Sequence, residues 1–157
     1  MITYLTGDAS DPIGPRPCII THVVNDVGAW GAGFVLAVSK KYPRDHIVYR
    51  EWVNGSGPFR IPAFHGSILP IPHDDGVTDV LLLAQRGIGR SGGKIPLDYM
   101  HLAASLLELS TYGVDQPIHM PRIGCGLAGG TWDKVGPLVE NYLRDREVYV
   151  YDLPVNR

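Results

Sequence analysis

Apolar residues along this chain gather into short runs of strand length and into stretches spaced three and four apart, separated by clusters of glycine, proline and aspartate. Ile2 to Thr6 mixes β-branched and aromatic residues and stops at the turn pair Gly7-Asp8, which predicts a strand. Cys18 to Val24 is almost continuously apolar, the pattern of a strand covered on both faces. Ser67 to Ile71 and Asp79 to Ala84 predict two more strands, with hairpin-turn chemistry in His73-Asp74-Asp75-Gly76 between them. Pro117 to Ile123 and Glu147 to Leu153 complete the strand set. Helices are predicted over Phe34 to Lys41, ended by Pro43, over Asp45 to Val53, and over Leu97 to Tyr112 with Gly113 following. A last helix has Thr131 as its expected N-cap and lines Trp132, Val135, Leu138, Val139, Tyr142 and Leu143 along one face. Pro137 inside it either kinks the axis or marks the true first turn. Strands interleaved with helices predict an α/β domain whose mixed sheet is covered on both faces. Without repeats or linkers, residues 1–157 are expected to form one domain.

Composition narrows the function classes. A chain of 157 residues buries roughly two thirds of its unfolded surface and needs no metal or disulfide to hold a core. Hydrophobic residues make up 45% and charged ones 19%, which excludes a disordered chain. The net charge is −2, so no global basic field exists to hold a nucleic-acid backbone. Cys18 and Cys125 form no C-x-x-C pair, which fits a reducing compartment and gives no zinc site. No apolar stretch approaches ~20 residues and no signal-like N-terminus is present, so a soluble, cytoplasmic protein is expected, with no membrane partner.

Two glycine-rich loops carry the candidate chemistry. Gly124-Cys125-Gly126-Leu127-Ala128-Gly129 follows a predicted strand and opens a helix, the context a phosphate-binding G-x-G-x-x-G requires. Missing Cβ atoms let backbone N–H groups approach a diphosphate, and the helix N-terminus adds about half a positive charge. The alternative is a turn built only for close strand-to-helix packing. Gly28 to Gly33 repeats the device between another buried strand and helix. Two such loops at the carboxyl ends of strands would clamp an extended anion between them. Trp30 would either wall that cleft or pack in the core. Arg86 to Lys94, rich in glycine and basic residues, is expected to be a mobile loop. A Rossmann dehydrogenase is the competing reading, with Asp152 placed like the acidic residue that holds a ribose. Only five residues follow Asp152, which leaves no room for a second mononucleotide-binding half.

Gly7-Asp8-Ala9, His22-Val23-Val24-Asn25 with Trp30-Gly31-Ala32-Gly33-Phe34, and Met120-Pro121-Arg122-Ile123-Gly124-Cys125-Gly126-Leu127 with Trp132 together resemble a macrodomain, in the family's order and over nearly the whole chain. Within that superfamily the chain is most similar to the branch holding the terminal ADP-ribose protein glycohydrolase and the yeast-type ADP-ribose-1″-phosphate phosphatase. The resemblance implies a three-layer α/β/α fold with a mixed six-stranded sheet and ADP-ribose at the strand ends. It implies that Asp8, beside Ala9, accepts a hydrogen bond from the adenine amino group. The backbones of Gly31, Ala32, Gly33 and Phe34, and of Gly124, Cys125, Gly126, Leu127, Ala128, Gly129 and Gly130, would hold the diphosphate. Gln85, Arg122 and Ile123 join this ligand-binding set. Asn25 and His22 would lie near the distal ribose as the catalytic candidates. From the residues alone, Asp8 can equally make an Asx-turn, His22 can be a satisfied core histidine, and Asn25 can brace its own loop.

The chain departs from the glycohydrolase at two positions. Ala128 stands where that enzyme has a catalytic Asp, and Gln85 or Arg86 falls opposite its lysine. Lys94 is expected to be solvated. The deacetylase-like macrodomains place an Asp after their first glycine loop, where this chain reads Phe34-Val35-Leu36. The histidine of the phosphatase is retained as His22. Phosphate monoester hydrolysis is among the slowest uncatalysed reactions and ordinarily calls on metals and several cations. An ADP-ribosyl ester of Glu or Asp is easier, because its leaving carboxylate has a pKa of about 4.3 and needs no general acid. Removal of mono-ADP-ribose from Glu or Asp side chains is therefore the favoured expectation. Phosphatase action and non-catalytic reading of ADP-ribose are the alternatives. ADP-ribose and ADP-ribosylated proteins are the expected partners, no metal or cofactor is expected, and the chain is expected to be monomeric.

Overall fold

The computed structural model describes residues 1–59, 62–90 and 92–155. Among them the chain forms β1 (Ile2–Thr6), β2 (Cys18–Asn25), α1 (Phe34–Lys41), α2 (Asp45–Asn54), β3 (Ile68–Pro72), β4 (Val77–Gln85), α3 (Tyr99–Thr111), β5 (Ile118–Met120), α4 (Trp132–Tyr142) and β6 (Val148–Asp152). The predicted loop over Arg86 to Lys94 includes Ser91, which lies outside the described residues.

The six strands form one sheet in the order β1-β6-β5-β2-β4-β3. Every neighbouring pair is parallel except β3 with β4, the hairpin closed by His73 to Gly76. Side-chain alternation along β2 and β4 splits the core into two layers. Ile19, Val80, Leu82 and Ala84 pack with Leu102, Leu106 and Leu109 of α3 and Val135 and Val139 of α4. Cys18, Ile20, Leu81 and Leu83 pack on the other face with Val38 of α1 and Tyr49 and Trp52 of α2. This is the three-layer mixed α/β arrangement. No helix among the described residues is long and apolar enough to cross a membrane.

Several element ends differ by a few residues from the sequence pattern, and β5 and α3 show why. Strand β5 stops at Met120 because Pro121 cannot donate to a ladder. Helix α3 begins at Tyr99, since Asp98 is its N-cap and accepts from His101 N at 3.0 Å. Leu97 instead forms a bridge with Gln85. Thr131 occupies the N-cap position of α4, but its side chain makes no capping bond, and Pro137 lies inside the helix rather than in its first turn.

The α1/α2 face also encloses a chain of polar groups. His22 Nε2 lies 3.0 Å from Asp79 Oδ1, the buried Asp79 and Asp45 carboxyls are neighbours, and Asp45 Oδ2 lies 3.0 Å from His73 Nε2. Burial, and then the neighbouring Asp79 carboxyl, push Asp45 up from the usual carboxylate range to about 9. Its folded pKa thus exceeds its unfolded one. Its contribution to stability is complete below the ordinary carboxylate range and is lost as the pH rises towards 9. Asp45→Asn keeps a neutral donor and has no proton to lose. Thermal melts are expected to show its advantage over the parent growing from pH 5 to pH 8; a constant difference would reject the shared proton.

Candidate functional site

Strands β2 and β5 are neighbours, yet the chain leaves β2 for α1 on one face and β5 for α4 on the other. Their outgoing loops diverge at this switch point and leave a crevice between them. The cleft there measures about 500 Å³.

The first loop is braced by Asn25. Its Oδ1 accepts from Val27 N and Ala29 N, each at 3.0 Å, and from the Tyr49 hydroxyl at 2.7 Å, while Nδ2 donates to Ala29 O at 2.8 Å. Only one amide hydrogen of Asn25 is left for a ligand. Beyond this brace, the backbone N–H groups of Gly31 to Val35 have no hydrogen-bond partner among the described residues. Gly33 caps α1 without a side chain, and the first turn of the helix has no acidic residue, so its positive end stays unneutralised. Asn25→Ala removes four hydrogen bonds. It is expected to lower stability by about 2 kcal/mol and to weaken ligand binding and turnover to similar extents. A melt together with a calorimetric titration checks both parts.

In the second loop the N–H groups of Gly126, Leu127 and Ala128 lack partners among the described residues. The loop rests on Leu97, whose N–H donates to Ala128 O at 3.0 Å. A Cβ on Gly124 would lie 2.9 Å from Leu97 Cδ2, and one on Gly130 would lie 2.5 Å from the same atom. These two glycines are required for close packing. Gly31 and Gly126 are different, because a Cβ at either meets nothing within 4 Å. The two loops meet across the cleft, where Leu127 Cδ1 lies 3.9 Å from the position of a Cβ on Gly33.

Of the sequence candidates, His22, Asn25, Gly31, Ala32, Gly33, Phe34, Gln85, Arg122, Ile123, Gly124, Gly126, Leu127 and Ala128 line this one cleft. Asp8, Ala9, Cys125, Gly129 and Gly130 are not in its wall. Asp8 stands at the end of β1 on the sheet edge, where Oδ1 accepts from Ser10 N and Ser10 Oγ in an Asx-turn. Ala9 is buried. The Cys125 thiol bonds Ile123 O, and burial pushes its pKa up. Trp30 takes the core role. It packs against His22 and Tyr49, and its Nε1 donates to Ser39 Oγ.

Arg122 is the one lysine or arginine in the wall among the described residues. Asp152 holds its guanidinium through contacts of 2.7 and 3.0 Å, and the rings of Tyr4 and Trp132 each lie 5.3 Å from it. That pairing lowers the Asp152 pKa and occupies the carboxylate. Arg86 and Lys94 line a separate depression with Lys134. Sequence reasoning did not place Val23, Val24, Ala29, Val35, Ile88 and Pro121 in the site, and they complete the apolar wall. Ile88, isolated among glycines and arginines and 59% exposed, was the available signal.

No family model matches the chain. A Bacteroides thetaiotaomicron protein of unknown function has a solved structure 35% identical to it, with a TM-score of 0.89 and coverage of 98% of both chains. A macrodomain protein from Streptomyces coelicolor is 33% identical, with a TM-score of 0.81, covering 97% of this chain and 99% of its own. The ADP-ribose 1″-phosphate phosphatase of Lodderomyces elongisporus is 25% identical over 96% of this chain and 99% of its own. The chain belongs to the macrodomain family.

Proposed function

We propose that residues 1–157 act as one macrodomain that binds ADP-ribose and hydrolyses the ester linking it to Glu or Asp side chains of modified proteins. The observation that carries this reading is the pair of loops with unpartnered amides facing one cleft. Such amides, with the open end of α1, suit a diphosphate without any lysine. Asn25 and His22 are assigned to the distal-ribose end, with Gln85 and Ile123 beside them, and Asp8, beyond the cleft wall at the end of β1 and followed by the buried Ala9, to the adenine end. In the reaction, water adds to the anomeric carbon as the bond to the carboxylate oxygen breaks. The leaving carboxylate departs as an anion, and positioning of the water supplies much of the acceleration.

Phosphatase action is the second reading, favoured by the name of the Lodderomyces relative and by His22. It is ranked lower because a phosphoryl group needs free cations, and Arg122 is already neutralised by Asp152. The reader alternative draws on Ala128, which contributes only a methyl group to the wall. The two free cysteines agree with action in a reducing, cytoplasmic setting.

Calorimetric titration with ADP-ribose, NAD and ADP, followed by incubation with a glutamyl-ADP-ribosylated protein, separates these readings. Tight ADP-ribose binding with release of free ADP-ribose above the enzyme-free rate is expected. Binding without release would make the protein a reader. Phosphate release from the 1″-phosphate without ester cleavage would make it a phosphatase.

A further inference from the structure

His22 lines the cleft while 97% of its surface is covered, since its relative exposure is 3%. Its Nε2 is held by Asp79 Oδ1, and its Nδ1 is a buried atom with no partner among the described residues. Buried polar atoms without partners are uncommon, and each calls for an explanation.

The polar chain behind His22 fixes which nitrogen bears the proton. Asp79 and Asp45 are both fully enclosed, and two neighbouring carboxyls there oppose each other's ionisation. Asp79 Oδ2 has no hydrogen-bond partner among the described residues, and the neighbouring Asp45 carboxyl, raised by burial and then by Asp79, is the group placed to donate there. Asp45 Oδ2 accepts from His73 Nε2–H. Asp79 Oδ1 lies 3.0 Å from His22 Nε2, and a carboxyl oxygen placed there accepts the hydrogen of that ring nitrogen. This proton arrangement serves each contact along the line from His22 to His73. It leaves His22 Nδ1 as a bare lone pair.

We propose that Asp79, backed by the neutral acid Asp45, is a positioning residue that locks His22 in the Nε2–H tautomer, so that Nδ1 accepts a hydrogen bond from a hydroxyl of the molecule bound in the cleft. The identity of that molecule as ADP-ribose rests on the function proposed above; the tautomer does not. During ester hydrolysis the same lone pair receives the proton of the attacking water, and the Asp79 carboxylate stabilises the imidazolium that results. Asp79 itself touches no ligand.

The test is nitrogen-15 NMR of the histidine-labelled protein, with the His22 signals identified by His22→Gln. The ligand-free parent is expected to show Nε2 protonated and Nδ1 unprotonated, and saturation with ADP-ribose is expected to shift Nδ1 upfield. Asp45→Asn supplies the same neutral donor and is expected to preserve the tautomer. Asp79→Asn is expected to lose it and to lower kcat about 100-fold with KM within about threefold. A protonated Nδ1 in the ligand-free parent, or an unmoved Nδ1 in protein saturated with ADP-ribose, overturns the proposal. So does a kcat for Asp79→Asn no lower than that for Asp45→Asn. Should Asp79→Asn fail to fold, the parent and Asp45→Asn spectra still decide. Should calorimetry detect no ADP-ribose binding, the function proposed above fails, and the ligand-free spectrum decides the tautomer.

Discussion

Gly126→Val is expected to weaken ADP-ribose binding about 100-fold while leaving the melting temperature within about 2 °C of the parent. A Cβ at this position meets nothing within 4 Å, so the folded chain accommodates the side chain. The same bulk stands where amides 126 to 128 must approach a diphosphate. A hydrogen bond to a charged group is worth about 1.5–3 kcal/mol, and loss of two accounts for the factor. Gly130→Ala is the matched contrast. Its Cβ would fall 2.5 Å from Leu97 Cδ2 and 2.6 Å from Gly124 O, so it is expected to lower stability by about 1–3 kcal/mol through overpacking. Calorimetry and melts of both variants separate the glycine that admits a ligand from the one that admits a neighbour. Affinity within threefold of the parent for Gly126→Val would remove the second loop from the binding site.

Arg146→Ala should produce the largest loss of stability, about 3–5 kcal/mol, read as a fall of roughly 10 °C in melting temperature. The buried guanidinium lies beyond α4 and donates to the carbonyls of Leu109, Ser110, Tyr112, Gly113 and Gln116. Leu109 O and Gly113 O also accept from Tyr112 N and Gln116 N, whereas the carbonyls of Ser110, Tyr112 and Gln116, at the end of α3 and in the following turn, have no backbone donor among the described residues. Removal strands several of them at ~1 kcal/mol or more each. Arg146→Lys is expected to recover only part of the loss, because an ammonium cannot span the fork. A melting temperature for Arg146→Ala within 3 °C of the parent would show that water replaces the guanidinium.

The legible parts of the fold were those written in local periodicity. All six strands and four helices fall close to their predicted positions because β2 and β4 are apolar on both faces and α3 and α4 are apolar on one. Strand β5 is shorter than the apolar run that predicts it because Pro121 has no N–H to give the ladder. The glycine loops were legible as motifs, but their convergence follows from β2 and β5 being neighbours, which no local pattern encodes. Trp30 and Asn25 illustrate the same limit. Each offered a ligand role and a structural one, and packing against Tyr49 decided for the structural one in Trp30 and used most of Asn25. Arg146 and the line from His22 to His73 were invisible, because their partners lie about thirty to sixty residues away in sequence.

The neutralised guanidinium of Arg122 has a kinetic consequence. Peptide dipoles act over a few ångströms, whereas an unpaired cation in the wall would draw anions from solution before contact. With Arg122 held by Asp152, capture depends on collisions that already have the right orientation, and the on-rate should sit near the ordinary 10⁵–10⁷ M⁻¹s⁻¹ of unsteered association. Discrimination then resides in how long a ligand stays, so abundant nucleotides of the same charge would enter and leave without blocking the crevice.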